Sequence, residues 1–206
     1  MSRRFFVLIF TLVCVVSFAN AQQRAEVSLQ VGEPFFTAML DSVYQSFDPP
    51  AFRLSGESGC GTLKIIREAG GTRTAVQFRG GQIRVPLAFS GNYAPPFIGC
   101  VEFSGWADSV LELEFDQVRQ KLIGRARVTN VHLDGAGGLP SAGIARLLQS
   151  SIDKRLNPIE ILKLDKLSFG VPIPSTGTLR MRAVGLRHEV SNGALNLRIT
   201  YEFTTG

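Results

Sequence analysis

The stretch that most restricts what this chain can become lies near its C-terminus, "LRMRAVGLRHEV-SNG-ALNLRITYEF" (residues 179–203). Leu195, Leu197, Ile199, Tyr201 and Phe203 alternate with Asn196, Arg198, Thr200 and Glu202. A period of two puts the apolar set on one face of a strand and the polar set on the other. Asn192-Gly193 is a strong turn signal, so two long strands are expected to fold back on each other as an antiparallel hairpin. Such a hairpin has one greasy face that must be covered by other elements. His188 falls on that face between Leu186 and Val190, cross-strand from Leu197. It reads either as a hydrogen-bonded core histidine or as a polar contact inside a binding cavity.

The rest of the chain supplies more hairpins and two covers. Leu63 and Ile65 alternate with Lys64 and Ile66, the chain turns at Ala69-Gly70-Gly71, and Thr74, Val76 and Phe78 return. A second turn at Gly80-Gly81 sets Phe78 opposite Ile83 and Val76 opposite Val85. Further on, "VLELEFD" offers Leu111, Leu113 and Phe115 on one face and Glu112 and Glu114 on the other. The strand from Leu122 answers with Gly124, Ala126 and Val128 inward and Arg125 and Arg127 outward. Pairing Leu113 with Ala126 then sets Glu112 opposite Arg127 and Glu114 opposite Arg125. The segment 33–47 carries Phe36, Met39, Leu40, Val43 and Phe47 at helical spacing, with Pro34 near its start and "DPP" after it. A second helix from Pro140 to Asn157 has Ile144, Leu147, Leu148, Ile152 and Leu156 as its stripe, with Arg146, Gln149 and Lys154 turned away. Leu167, Phe169, Val171 and Ile173 alternate in a segment whose type the pattern leaves open. The fold class is α+β: a long curved antiparallel sheet of about eight strands wrapped with two amphipathic helices.

The first residues, "MSRRFFVLIFTLVCVVSFANAQQ", have two arginines, an apolar run and Ala19-Asn20-Ala21, which reads as a signal peptide cleaved after Ala21. Residues 22–206 are then expected to form a single α+β domain in the periplasm or outside the cell. Loss of Arg3 and Arg4 lowers the formal net charge of +5 by two. The remaining basic residues are scattered singly along strands, which argues against a nucleic-acid partner and allows mild affinity for a membrane surface. Once Cys14 is removed, Cys60 and Cys100 remain, and an exported pair is most simply one disulfide.

Candidate chemistry thins out on inspection. "SGESGCGT" (55–62) lacks the lysine and the following helix of a phosphate loop. It also lacks the final glycine of a nucleophile elbow. No histidine precedes Ser58 to serve it as a base in the order of trypsin-like proteases. Cys60, Cys100, His132 and His188 are not at metal-ligand spacing. Glu112 and Glu114 could be a hydrolytic carboxylate pair, but their facing arginines account for them as a solvated strand surface. The expectation is no enzyme, no metal and no cofactor.

The order helix, hairpin-connected strands, second helix, closing hairpin, with "GIARLLQSSIDKRL" ahead of "GTLRMRAVGLRHEVSNGALNLRITYEF", resembles the tubular lipid-binding (TULIP-like) superfamily. It looks closest to the small bacterial exported members, from whose general pattern the cysteine pair departs. The resemblance implies a lipid or other apolar small molecule held in a groove between helices and curved sheet. Phe36, Leu40, Val43, Phe47, Ile144, Leu148, Ile152, Leu156, Leu113, Phe115 and His188 would line that groove. The loop "GNYAPPF", with Tyr93 and Phe97, would form its mouth. The alternative is a non-catalytic structural or interaction module of the cell envelope with a filled core, and its partner would be another envelope protein.

Overall fold

A computed structural model of the protein describes residues 23–53, 60–94, 99–134 and 141–205. The first strand, β1 (Arg24–Gly32), runs directly into helix α1 (Glu33–Ser46). Six short strands and one longer one follow: β2 (Ala51–Arg53), β3 (Thr62–Ile66), β4 (Glu68–Ala69), β5 (Thr72–Arg73), β6 (Gln77–Arg79) and β7 (Gln82–Arg84) precede β8 (Leu87–Tyr93). Two long strands, β9 (Val101–Asp116) and β10 (Lys121–Asp134), lead to helix α2 (Ser141–Arg155). After α2 come β11 (Ile159–Lys163), a 3₁₀ turn (Leu164–Leu167), β12 (Phe169–Ile173), β13 (Gly177–Ser191) and β14 (Ala194–Thr205). Residues 1–21 (expected to be a signal peptide), Ser58 and Phe97 (expected at the mouth of the groove) lie outside the described residues.

The class is α+β, as the periodicities require, with curved antiparallel half-barrel sheets and two helices. The strands divide between two main sheets. One has the order β1-β14-β13-β12; the other runs β11-β10-β9-β8-β3-β2, with β7 also pairing β9 and β6 pairing β7. The β13–β14 hairpin closes at Ser191 and Ala194, and His188 faces Leu197. The second hairpin pairs Phe78 with Ile83 around Gly80-Gly81, both glycines at positive φ. That ladder is only three residues per strand, so Val76 and Val85 do not pair. Val85 instead donates its N–H to the Ser109 carbonyl, and the buried Ser109 hydroxyl donates back to the Val85 carbonyl at 2.6 Å. Pro86, which has no N–H, divides β7 from β8 along the length of β9.

The β9–β10 register differs from the expected one by two residues. Leu113 pairs with Gly124 and Glu112 with Arg125. A shift of two keeps every side chain on its face, so the apolar pattern cannot distinguish the registers. The turn decides: the Asp116 carboxylate accepts from the N–H groups of Val118 and Arg119 at 3.0 and 2.9 Å, fixing a four-residue loop between Asp116 and Lys121. Those hydrogen bonds, that of Arg119 foremost, hold the Asp116 carboxyl below the usual carboxylate range. The ion pairs Arg127–Glu112 and Arg125–Glu114 form nevertheless, as diagonals rather than direct opposites.

Two apolar cores result. One joins Phe78, Ile83, Leu122 and Leu164 to Ala183, Leu186, Leu195, Leu197, Ile199 and Tyr201 across the two sheets. The other lies under α2, where Ile144 and the fully buried Leu148 meet Phe52, Leu63, Ile65, Phe89, Phe103 and Val131. Glycine makes the second core possible. A Cβ on Gly105 would sit on the His132 carbonyl oxygen, and one on Gly91 would lie 2.8 Å from the Phe103 ring. Gly91 pairs with Phe103 and Gly105 with Phe89, so each ring lies opposite a residue without a side chain. Gln149 does not turn to solvent as expected. Beyond Gly124, β10 has no strand partner on its outer side among the described residues, and α2 fills the gap. The Gln149 amide oxygen accepts from the Val128 N–H at 2.7 Å. The Asn157 side chain both accepts from the Ala126 N–H and donates to the Ala126 carbonyl, each at 2.8 Å.

Candidate functional site

The apolar stripe of α1 is where the structure departs furthest from a filled interior. Pro34 sits in the first turn, which its fixed φ suits, and the helix ends at Phe47 before Asp48-Pro49-Pro50. One side of the helix is anchored. Phe36 meets Phe78 edge-on at 5.7 Å between ring centroids. The Glu33 carboxylate accepts from the Phe78 N–H at 2.7 Å and pairs with Arg79 at 2.5 Å. Asp41 pairs with Arg67 at 2.6 Å. Burial pushes the Tyr44 hydroxyl above its ordinary pKa, against the opposing pull of its hydrogen bond with Thr74 and of the Arg67 charge.

The other side carries Phe35, Met39, Val43 and Phe47 at strict four-residue spacing, and these are between 37% and 69% exposed. No residue of α1 is buried. Val43 and Phe47 therefore do not face the inner side of the sheet, contrary to the expectation. The anchoring contacts turn the Phe36, Leu40 and Tyr44 side of the helix inward instead. β1 continues the same exposure. Val27 and Leu29 lie opposite Ile199 and Leu197, on the apolar side of the sheet, yet each remains nearly half exposed at the sheet's edge.

The remaining expected residues separate into three groups. Ile144, Leu148 and Ile152 are buried on the inner side of α2, whereas Leu156, just past its end, is 39% exposed. Tyr93 ends β8 half-buried against the core under α2. Leu113 and His188 line a cleft of about 270 Å³ between the two sheets, with Ile83, Leu111 and Val190. Phe115 packs half-buried beside the inter-sheet core. These residues do not converge on one chamber. α2 covers a packed core, the inter-sheet cleft is small, and the longest run of exposed apolar side chains belongs to β1, α1 and Phe47.

Cys60 and Cys100 form a disulfide with their Cα atoms 5.9 Å apart. Among the described residues no group of three or more His, Cys, Asp or Glu is arranged to hold a metal, and no helix is long and apolar enough to cross a membrane. Sequence reasoning missed two features. Trp106, the only tryptophan, stacks on His132 with centroids 3.7 Å apart. Glu202 is buried between Arg182 and Arg24, at 2.6 and 2.5 Å. Arg182 first, then Arg24, hold its carboxyl below the usual range. The opening beside it, about 630 Å³, is lined by Gln120, Leu164, Asp165, Ser168 and Arg182 among others, so its central carboxylate is already committed.

No protein-family model matches the sequence, and no curated protein does. Among solved structures, the crystal structure of lipopolysaccharide binding protein is similar over 87% of this chain and 41% of its own, at 9% identity and a TM-score of 0.28. This chain thus spans less than half the length of that protein.

Proposed function

We propose that residues 22–206 form a single exported domain, without catalytic activity, that binds a lipid or other apolar ligand on an open surface built by α1 and β1. The observation that carries this reading is the α1 stripe. Of the eleven large apolar side chains left exposed among the described residues, six (Val27, Leu29, Phe35, Met39, Val43 and Phe47) come from residues 27–47, while the other five lie between Val118 and Ile173. Exposed apolar residues scattered singly need no explanation, but a stripe at helical spacing is an unfinished contact surface. Three of the four stripe residues, Phe35, Met39 and Phe47, have aromatic or unbranched side chains that can follow a hydrocarbon chain. α1 carries no Lys or Arg, so attraction to the ligand rests on apolar burial and not on anionic headgroups. A disulfide and the absence of a membrane-spanning helix among the described residues are compatible with export.

The test pairs binding with stability. Val43→Asp and Phe47→Ser alter exposed positions, so each should shift stability by no more than about 0.5 kcal/mol. Binding of a fluorescent fatty acid should weaken at least tenfold in the double variant and persist at about 0.5 M salt, where surface charges are screened. Native mass spectrometry of protein from its own host should show co-purified lipid. If the wild-type protein binds no probe and carries no lipid, the reading fails. The two filled cores would then favour a structural or interaction module of the envelope, with the same stripe as its contact face.

A further inference from the structure

We propose a second, polar ligand site on the face of the β3–β8–β9–β10 sheet that points away from α2, and we assign it to a neutral polyhydroxylated ligand, a saccharide unit. The proposal does not depend on the apolar surface of α1. The register places two rows of polar side chains side by side. Thr62, Asn92 and Glu102 form one; Lys64, Ser90, Ser104 and Asp134 form the next. Of the residues between them, Leu63, Gly91 and Phe103, the two with side chains belong to the core under α2. These two rows line a groove of about 400 Å³, within the range of small-molecule sites. The tip of the β4–β5 hairpin meets the Asp134 carboxylate at Gly70 and closes one end. The Cys60–Cys100 bridge ties the chain just ahead of Thr62 to the chain just ahead of Glu102 at the other.

This groove gathers several unspent polar groups of both kinds, donor and acceptor, in one concave place. Many charges elsewhere on the strand faces pair with one another: Arg24 and Arg182 with Glu202, Arg187 with Glu26, Arg127 with Glu112, Arg125 with Glu114. Among the described residues, the side chains of Lys64, Glu102, Asp134, Ser90 and Ser104 make no hydrogen bond or ion pair. Asn92 has its oxygen engaged by the N–H groups of Gly61 and Thr62, both at 2.9 Å, which fixes the amide and leaves its NH₂ as a donor.

The inventory selects the ligand. Lys64 and Asn92 donate, Glu102 and Asp134 accept, and the two serines do either. An anion would meet two carboxylates, and a simple cation would leave the donors idle. Hydroxyl groups, each donating once and accepting once, use both sets. Trp106 lies two residues beyond Ser104 on the same face, roughly 7 Å along the strand. Its indole, held flat against His132, lies just outside the groove's own lining, close enough to report on it.

Because Trp106 is the only tryptophan, its fluorescence reports on this face alone. Maltotriose, chitotriose and galactobiose are titrated into the full-length mature protein, with shifts of the backbone amides of Ser90 and Ser104 followed by NMR as a second readout. A saturable response to at least one saccharide is expected. It should weaken at least tenfold in Glu102→Gln and in Lys64→Met and be unchanged in Glu112→Gln, which lies outside the groove. Melting curves confirm that each variant is folded. No response to any of the three sugars overturns the proposal. So does saturation by inorganic phosphate or by ethanolamine alone, which would make the groove an anion or ammonium site. Retention of fatty-acid binding in the groove variants is expected; its loss would overturn the independence of the two sites.

Discussion

Opening the Cys60–Cys100 bridge should lower stability without changing the fold. The bridge closes a loop with a sequence separation of 40. Restricting a denatured chain by a loop of that length is worth about 4 kcal/mol on the chain-entropy account. For a domain of this size, that corresponds to a drop in Tm of about 8–16 °C. The native contacts at the bridge do not depend on the bond. β3 and β9 flank β8, with Thr62 against Asn92 and Asn92 against Glu102, and these ladders remain when the sulfurs separate. Thermal melting by circular dichroism, with and without reductant, measures the shift, and Cys60→Ser/Cys100→Ser should melt with the reduced wild type. A shift below about 3 °C would refute the loop-closure argument. A changed far-ultraviolet spectrum at low temperature would refute the claim that the ladders hold alone.

Three further outcomes follow from the packing. Glu202 has a folded-state pKa below its unfolded value, so its pairing stabilises at neutral pH and is lost as pH falls from the ordinary carboxylate range through the lowered one. Glu202→Gln should therefore melt below wild type at pH 7, and the gap should narrow as pH falls below the ordinary carboxylate range; a gap that does not change with pH would remove the charge argument. Gly105→Ala should cost several kcal/mol or abolish folding, because its methyl falls on the His132 carbonyl, whereas overpacking that can relax costs about 1–3 kcal/mol. Exchanging Glu112 or Glu114 for glutamine should cost under about 1 kcal/mol, since both ion pairs are exposed, and urea titration would show a larger loss if either carboxylate had a second task.

The elements that could be read in advance are those whose evidence is local. The Gly80-Gly81 and Asn192-Gly193 turns, the alternation of Leu195 to Phe203 and the spacing of Ile144, Leu148 and Ile152 all express themselves within a few residues. What escaped depends on distant partners. β1 has a legible alternation in Val27, Leu29 and Val31, but no turn separates it from α1, and only β14 gives it a ladder. The β9–β10 register was ambiguous because two alignments satisfy both the apolar face and the charges; the Asp116 side chain resolves it. Gln149 is polar by type, yet it faces a strand edge that no helical period can reveal. The polar groove needs the strand order β3-β8-β9-β10, which brings Lys64 and Asp134 into one row across a span of 70 residues.

The amides of Asn157 and Gln149 on β10 also bear on how the protein behaves at high concentration. A long strand ending a sheet offers a row of free N–H and C=O groups on which another chain can pair, the first step toward ordered aggregates. Here two side chains, one from α2 and one from Asn157 two residues past its end, occupy those groups as a neighbouring strand would. At the other end of the same sheet, β2 is only three residues long and offers little to copy. Removing the two amides together, as Gln149→Ala/Asn157→Ala, would restore an open template on β10 while leaving the apolar seat of α2 intact. Its signature would be fibril formation, with dye-binding kinetics that steepen with protein concentration.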